Sequence, residues 1–187
     1  MADPDFLLLG DALWLDFVNT AATAPGPSEA LPDPGAWLRW TKAVRVESPT
    51  SAQAYDDALR FRTRLLALAR SLDQGQAPSP SMIETINVRV AALEGRQQLV
   101  RISGNWRMRF APGRPPTALE AIAGSVAETL SNPLAVVRRC TNPECGLYFV
   151  DESPTQSRRW CSRSRCGLRG GFERRRRSRP TPLVGEG

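Results

Sequence analysis

The chain is 187 residues long, room for one solid core and a small appendage, with 41% hydrophobic and 24% charged residues and a formal net charge of +6. It has no histidine, and Lys42 is the one lysine among 25 basic residues, which excludes Ser-His-Asp and Cys-His catalysis, histidine-held catalytic zinc and any Schiff base outside Lys42, so no enzyme is expected. No apolar run approaches the ~18 residues that span a bilayer, and the start Met1-Ala-Asp-Pro-Asp5 is acidic where a secretory leader is basic, so a cytoplasmic chain without membrane partners is expected.

Asp11 to Thr20 places Leu13, Trp14, Phe17 and Val18 at helical spacing, with Asp11 as the expected N-cap. After a proline-rich loop, Asp33-Pro34 opens a helix carrying Trp37, Leu38 and Trp40. From Ala52 to Asp73, residues including Tyr55, Leu59, Leu65, Ala69 and Leu72 hold one helical stripe, and Gly75 is placed to end it. Ser81 to Glu84 and Thr117 to Glu120 both match the capping box, so each predicts a helix start. The first helix is expected to run to Gly95, and the second to stop at Asn132-Pro133. Between them, Leu99 to Ser103 and Trp106 to Phe110 alternate around Gly104-Asn105, which predicts a β-hairpin with Trp106, Met108 and Phe110 toward the core and Arg107 and Arg109 toward water. The expected fold class is α+β: a mostly helical N-terminal domain with a β-hairpin over residues 1–133, a finger over 134–179 and a tail over 180–187.

All four cysteines fall within 27 residues as C-x4-C-x15-C-x4-C: Cys140, Cys145, Cys161 and Cys166. Each close pair can sit on one turn and supply two thiolates, and the spacer lets the turns face each other around a tetrahedral ion. Two disulfides or an iron–sulfur cluster are the alternatives, and a reducing compartment favours Zn²⁺ over the first. Four protein ligands leave no open position, so one structural zinc per chain is expected. Few apolar residues surround it, chiefly Leu147, Tyr148, Phe149, Val150 and Trp160, and so small a module needs a metal to fold. A turn with Cys140 and Cys145, a strand over 147–150, a return strand near Trp160 and a helix starting at Cys161/Cys166 would make a treble-clef-like finger.

Three stretches carry a resemblance: Leu13 to Thr20, Cys140 to Phe149 with Asp151, and Ser157 to Ser162 leading to Cys166-Gly-Leu-Arg169. They resemble the CGNR zinc-finger family, whose N-terminal portion is the ABATE domain, with Leu168 standing where the family motif has Asn. The resemblance implies stress-linked transcription regulation, a ligand-sensing N-terminal domain and a finger that binds DNA.

The charge agrees with such a division, since residues 1–133 hold 13 basic and 14 acidic groups and residues 134–187 hold 12 and 5. Arg158, Arg159, Arg163, Arg165, Arg169, Arg174, Arg175, Arg176 and Arg177 are the candidate DNA contacts, because guanidinium forks grip phosphates and guanine edges. A solvated basic surface, or an adaptor that binds protein or RNA, is the alternative. Asp16, Asn19 and Thr20 share one helix face among apolar neighbours; either they satisfy the fold, Asp16 by pairing with an arginine of the long helix and Asn19-Thr20 by capping the helix end, or with Arg62 they form a polar patch that binds a small molecule. A ligand is expected to reposition the finger or a partner in a homodimer.

Overall fold

The computed structural model describes residues 6–22 and 28–167. Among these residues, five α-helices and two antiparallel hairpins follow in the order α1 (Leu13–Val18), α2 (Pro34–Ala43), α3 (Ala52–Asp73), α4 (Pro80–Ala91), β1 (Gly95–Ile102), β2 (Asn105–Pro112), α5 (Ala118–Ser131), β3 (Val136–Arg139) and β4 (Tyr148–Asp151). The α+β class and the mostly helical N-terminal part are as expected.

Helix α1 is the hub, with Trp14, Leu15, Phe17 and Val18 all buried and packed on α3 and α5. Phe17 meets Trp37 and Trp40 at ring-centroid distances of 5.5 and 5.2 Å, and the two indoles stack on each other at 5.5 Å. Trp14 and Trp37 direct their indole N–H groups to Thr129 Oγ1 and Ser48 Oγ, both at 2.9 Å. Three of the five tryptophans are therefore core, with two of them hydrogen-bonded.

Capping decides most helix ends. Asp33 accepts the Ala36 N–H ahead of Pro34, and Ser51 accepts the Ala54 N–H at the head of α3. Glu120 reaches back to the Thr117 N–H at 2.8 Å and is gripped by Arg114 through both carboxylate oxygens. Two expected starts are corrected. Ser79, with Pro80 behind it, caps α4 in place of Ser81, because proline is best tolerated at the first helical position. Asp11 does not cap α1: it sits at φ 59°, Ala12 is the N-cap, and the Asp11 carboxylate pairs with Arg158.

The hairpin forms as expected, but its turn lies one residue earlier than Gly104-Asn105: the chain reverses through Ser103 and Gly104, both at positive φ as a tight two-residue turn requires, and Asn105 already pairs with Ile102, with Leu99 opposite Met108. Its orientation is corrected. Trp106, Met108 and Phe110 are 65%, 66% and 43% exposed, so this face does not enter the core. Helices α1, α3 and α5 already fill the core around Trp14 and Phe17, and the two strands pack almost wholly on each other.

The second hairpin pairs β3 with β4, Val137 opposite Val150 and Arg138 opposite Phe149. The strand that pairs with β4 thus precedes it, and no strand forms near Trp160. Val137, Tyr148 and Val150 belong to the main core, whereas Leu147 and Phe149 pack with the cysteines. Asn19, buried at the end of α1, ties the two together: its amide donates to the Tyr148 carbonyl and its carbonyl accepts the Tyr148 N–H, both at 2.8 Å.

Replacing Asn19 by alanine leaves two buried main-chain groups unpaired at about 1–3 kcal/mol each. Asn19→Ala is expected to lower stability by about 2–4 kcal/mol in urea unfolding. A loss below about 0.5 kcal/mol would show that the Tyr148 contact does not hold β4 to α1.

Candidate metal centre and the polar cluster behind it

Two turns present the cysteines. In the first, Asn142 caps the turn through Glu144 N–H, the Cys145 N–H returns to the Asn142 carbonyl at 3.0 Å, and Gly146 takes φ 71° to lead into β4. In the second, Cys161 precedes a wide helical turn, Arg163–Gly167, where the Cys166 N–H bonds the Ser162 carbonyl at 2.9 Å. Thr141 joins the turns, donating its N–H and its hydroxyl to the Arg159 carbonyl at 2.9 and 3.0 Å.

The four sulfurs lie within 4.8 Å of one another, with Cys145 to Cys161 at 3.6 Å and Cys161 to Cys166 at 3.7 Å. Zinc–sulfur bonds of ~2.3 Å set tetrahedral sulfurs ~3.8 Å apart, so the donor set fits one zinc ion. All four cysteines are free of disulfides, and three are buried. Packed this closely, the thiols shift one another: Cys145 and Cys161 hydrogen-bond to Cys140 and lower its pKa, while their own are raised. A bound cation is what lets all four be thiolates together. With four protein ligands the zinc is structural.

A shell of polar contacts fixes these turns. Asp151 is fully buried; burial would raise its pKa, but hydrogen bonds from Ser153, from the Arg158 N–H and from Arg138 hold it below the usual carboxylate range. The Arg158 guanidinium lies 4.6 Å over the Phe149 ring, donates to the carbonyls of Trp160 and Cys161, and meets Asp11 Oδ2 at 2.5 Å. Residues 6–10 add Leu7 and Leu9 against the cysteines, and the Gly10 carbonyl accepts the Val150 N–H at 2.9 Å. Gly10 has to be glycine, because a Cβ there would lie 2.7 Å from that of Leu15.

Of the candidate DNA contacts, Arg158 is engaged in this internal network, while Arg159, Arg163 and Arg165 are exposed beside the second cysteine pair. Arg169 and Arg174, Arg175, Arg176 and Arg177, like the tail over 180–187, lie outside the described residues. Asp151 and Asn19 were not foreseen as the residues that position the finger. Asp151 follows an apolar run, a weak signal, and the partner of Asn19 lies 129 residues away.

The four candidate ligand residues separate. Arg62 is 7% exposed and brackets Glu29 with two bonds of 2.8 and 2.7 Å while donating to Thr20 Oγ1 at 2.9 Å; Thr20 in turn donates to the Phe17 carbonyl. Asn19 and Thr20 line a cavity of about 330 Å³ together with Glu29, Arg39 and Trp40, and Arg62 braces its wall. Asp16 lies elsewhere, accepting the Gly10 N–H at 2.8 Å, and it pairs with no arginine among the described residues.

Burial raises the Asp16 pKa to about 6; the Gly10 N–H opposes the shift and Asp11 adds to it. Between pH about 4 and about 6 the native state then holds more protons than the unfolded chain, so stability falls as pH rises through that window and stays lower above it. Asp16→Asn is expected to raise the thermal midpoint at pH 7.5 and to match the original chain near pH 4. A midpoint difference that does not change with pH would contradict the buried proton. At the metal, Cys161→Ser is expected to abolish stoichiometric zinc by elemental analysis and to lower the midpoint sharply. A variant that keeps its zinc would remove Cys161 from the ligand set.

Comparison with known protein families gives two matches along the chain. The ABATE profile, described as "Putative stress-induced transcription regulator", matches residues 11–133, and the CGNR zinc finger profile matches residues 137–179. No curated protein matches the chain.

Proposed function

The chain belongs to the ABATE family, described as "Putative stress-induced transcription regulator", and carries a CGNR zinc finger, and from that premise we propose that it binds duplex DNA through the finger under control of a small molecule held by the N-terminal domain. The observation that carries the DNA contact is the exposure of Arg159, Arg163 and Arg165 around the turn that holds Cys161 and Cys166. None of the three has a carboxylate within ion-pair distance among the described residues. A metal-tied turn holds such guanidinium groups at fixed spacing, which favours phosphate and base-edge contacts over a diffuse charged surface. A cysteine turn, the strand β4 and a helical turn at the second cysteine pair would suit a treble-clef-like finger.

For the ligand, the 330 Å³ cavity beside α1 supplies polar groups of both signs in Glu29 and Arg39. Asn19 connects it to the finger, because one side chain both lines the cavity and holds the two main-chain groups of Tyr148. A ligand that draws Asn19 away would loosen β4, and with it the first cysteine turn. Catalysis is not needed for such a role. Regulation of this kind works in the cytoplasm, and a site with two-fold symmetry would recruit a second copy.

Fluorescence anisotropy with duplex DNA tests the reading. If the three exposed arginines each contact a phosphate, the slope of log K against log salt is at least about −2.7 in magnitude. Arg163→Ala and Arg165→Ala are each expected to reduce it by about 0.9 without changing zinc content. Arg158→Ala is expected to weaken zinc retention instead. A salt-independent signal, or binding that survives removal of zinc by chelation, would contradict the proposal. Enrichment of particular sequences from a random duplex pool by the zinc-loaded chain, and not by Cys145→Ser, would show specific recognition rather than an adaptor for protein or RNA.

A further inference from the structure

The β1–β2 ribbon presents an apolar face that its own body leaves uncovered among the described residues. Leu99, Trp106 and Met108 are 60%, 65% and 66% exposed on that face. A lone two-stranded ribbon is marginal in water, and an exposed patch of this kind marks a contact surface. The ribbon also carries Arg96, Arg101, Arg107 and Arg109 with no acidic residue between Gly95 and Gly113, and none of these four is ion-paired among the described residues.

The complementary surface is on the same chain. A groove of about 990 Å³ runs along α5, with Leu13 and Leu93 as apolar walls, Gly124 and Ser125 in its floor, and Glu128 and Glu152 contributing acidic groups. Nothing lies within 4 Å of where a Gly124 side chain would begin, so the floor is open. Neither Glu128 nor Glu152 has an ion-pair partner among the described residues. The ribbon cannot fold into its own groove. Its root already forms one wall through Arg109 and Phe110, and the paired strand carries Trp106 roughly 13 Å beyond Phe110.

We propose that the ribbon of one copy docks in the groove of a second copy, and the second ribbon in the first groove, giving a two-fold dimer. Charge selects this occupant, since a basic apolar ribbon meets an acidic groove twice over. The exposed side chains support it: Trp106 and Phe110, with Met108, are residue types that anchor specific interfaces. The isologous pairing closes on itself and leaves no ribbon free to propagate a fibre.

Sedimentation equilibrium on the full, zinc-loaded chain without DNA tests this independently of nucleic-acid binding. The expected result is a concentration-dependent dimer that weakens as salt is raised. Met108→Glu on the ribbon and Glu128→Arg in the groove should each raise the dissociation constant at least about tenfold with zinc content unchanged. Both side chains are at the surface, so neither change disturbs the core. A monomer at every concentration would overturn the proposal, including one in which residues 168–187 of the same chain cover the ribbon. A dimer that ignores either substitution would overturn it as well.

Discussion

Because Tyr148, Phe149, Val150 and Asp151 are all buried, strand β4 must find partners on both faces and both edges, and the rest of the molecule is arranged to supply them. Tyr148 and Val150 point into the helical core, while Leu147 and Phe149 point into the cysteine cluster. One edge pairs with β3; on the other, Gly10 takes the Val150 N–H and Asn19 takes both groups of Tyr148. A strand covered on two sides has no water to satisfy its main chain, so these contacts are obligatory rather than decorative. The finger has too few apolar residues to fold around itself. It uses zinc on one face of β4 and the helical domain on the other.

This dual dependence explains why the polar residues near the metal are engaged inward. Asp151 gathers Ser153, Arg138 and the Arg158 main chain, and the Arg158 side chain bridges Asp11, the Phe149 ring and the carbonyls beside Cys161. Removing one partner from such a network strands the others in a dry site. Counting arginines by sequence treats Arg158 and Arg163 as alike, but their duties differ: the first positions the knuckle and the second remains at the surface.

Features written in local sequence were legible. Capping residues at Asp33 and Thr117, the stripe from Ala52 to Asp73, the presence of a hairpin reversing near Gly104 and the cysteine spacing each rest on interactions within a few residues. What depends on distant partners was not. Alternation in β2 announces two different faces without saying what each one meets, so Trp106 and Met108 were expected inside although α1, α3 and α5 had already filled the core. Asn19 and Thr20 fit either a helix end or a ligand patch by sequence; both do sit at the end of α1, and the fold adds that one holds β4 while the other receives Arg62. Helical spacing marks Asp16 as a polar group in need of a partner, but that partner, the Gly10 N–H rather than an arginine, is set by the chain folding back over α1.

The charge distribution reads differently once these contacts are placed. Four thiolates and one Zn²⁺ add about −2 relative to neutral thiols, so the basic excess of the C-terminal third falls to about +5. Arg138 and Arg158 are paired with Asp151 and Asp11, so their charges are locally compensated. What remains on the described part of the finger is Arg139 on β3 together with Arg159, Arg163 and Arg165 next to the metal-tied turn. A basic surface built this way depends on the metal for its geometry and on β4 for its attachment. Anything that shifts Asn19 or the segment over 6–10 therefore acts on the arginines through the same strand, without touching them.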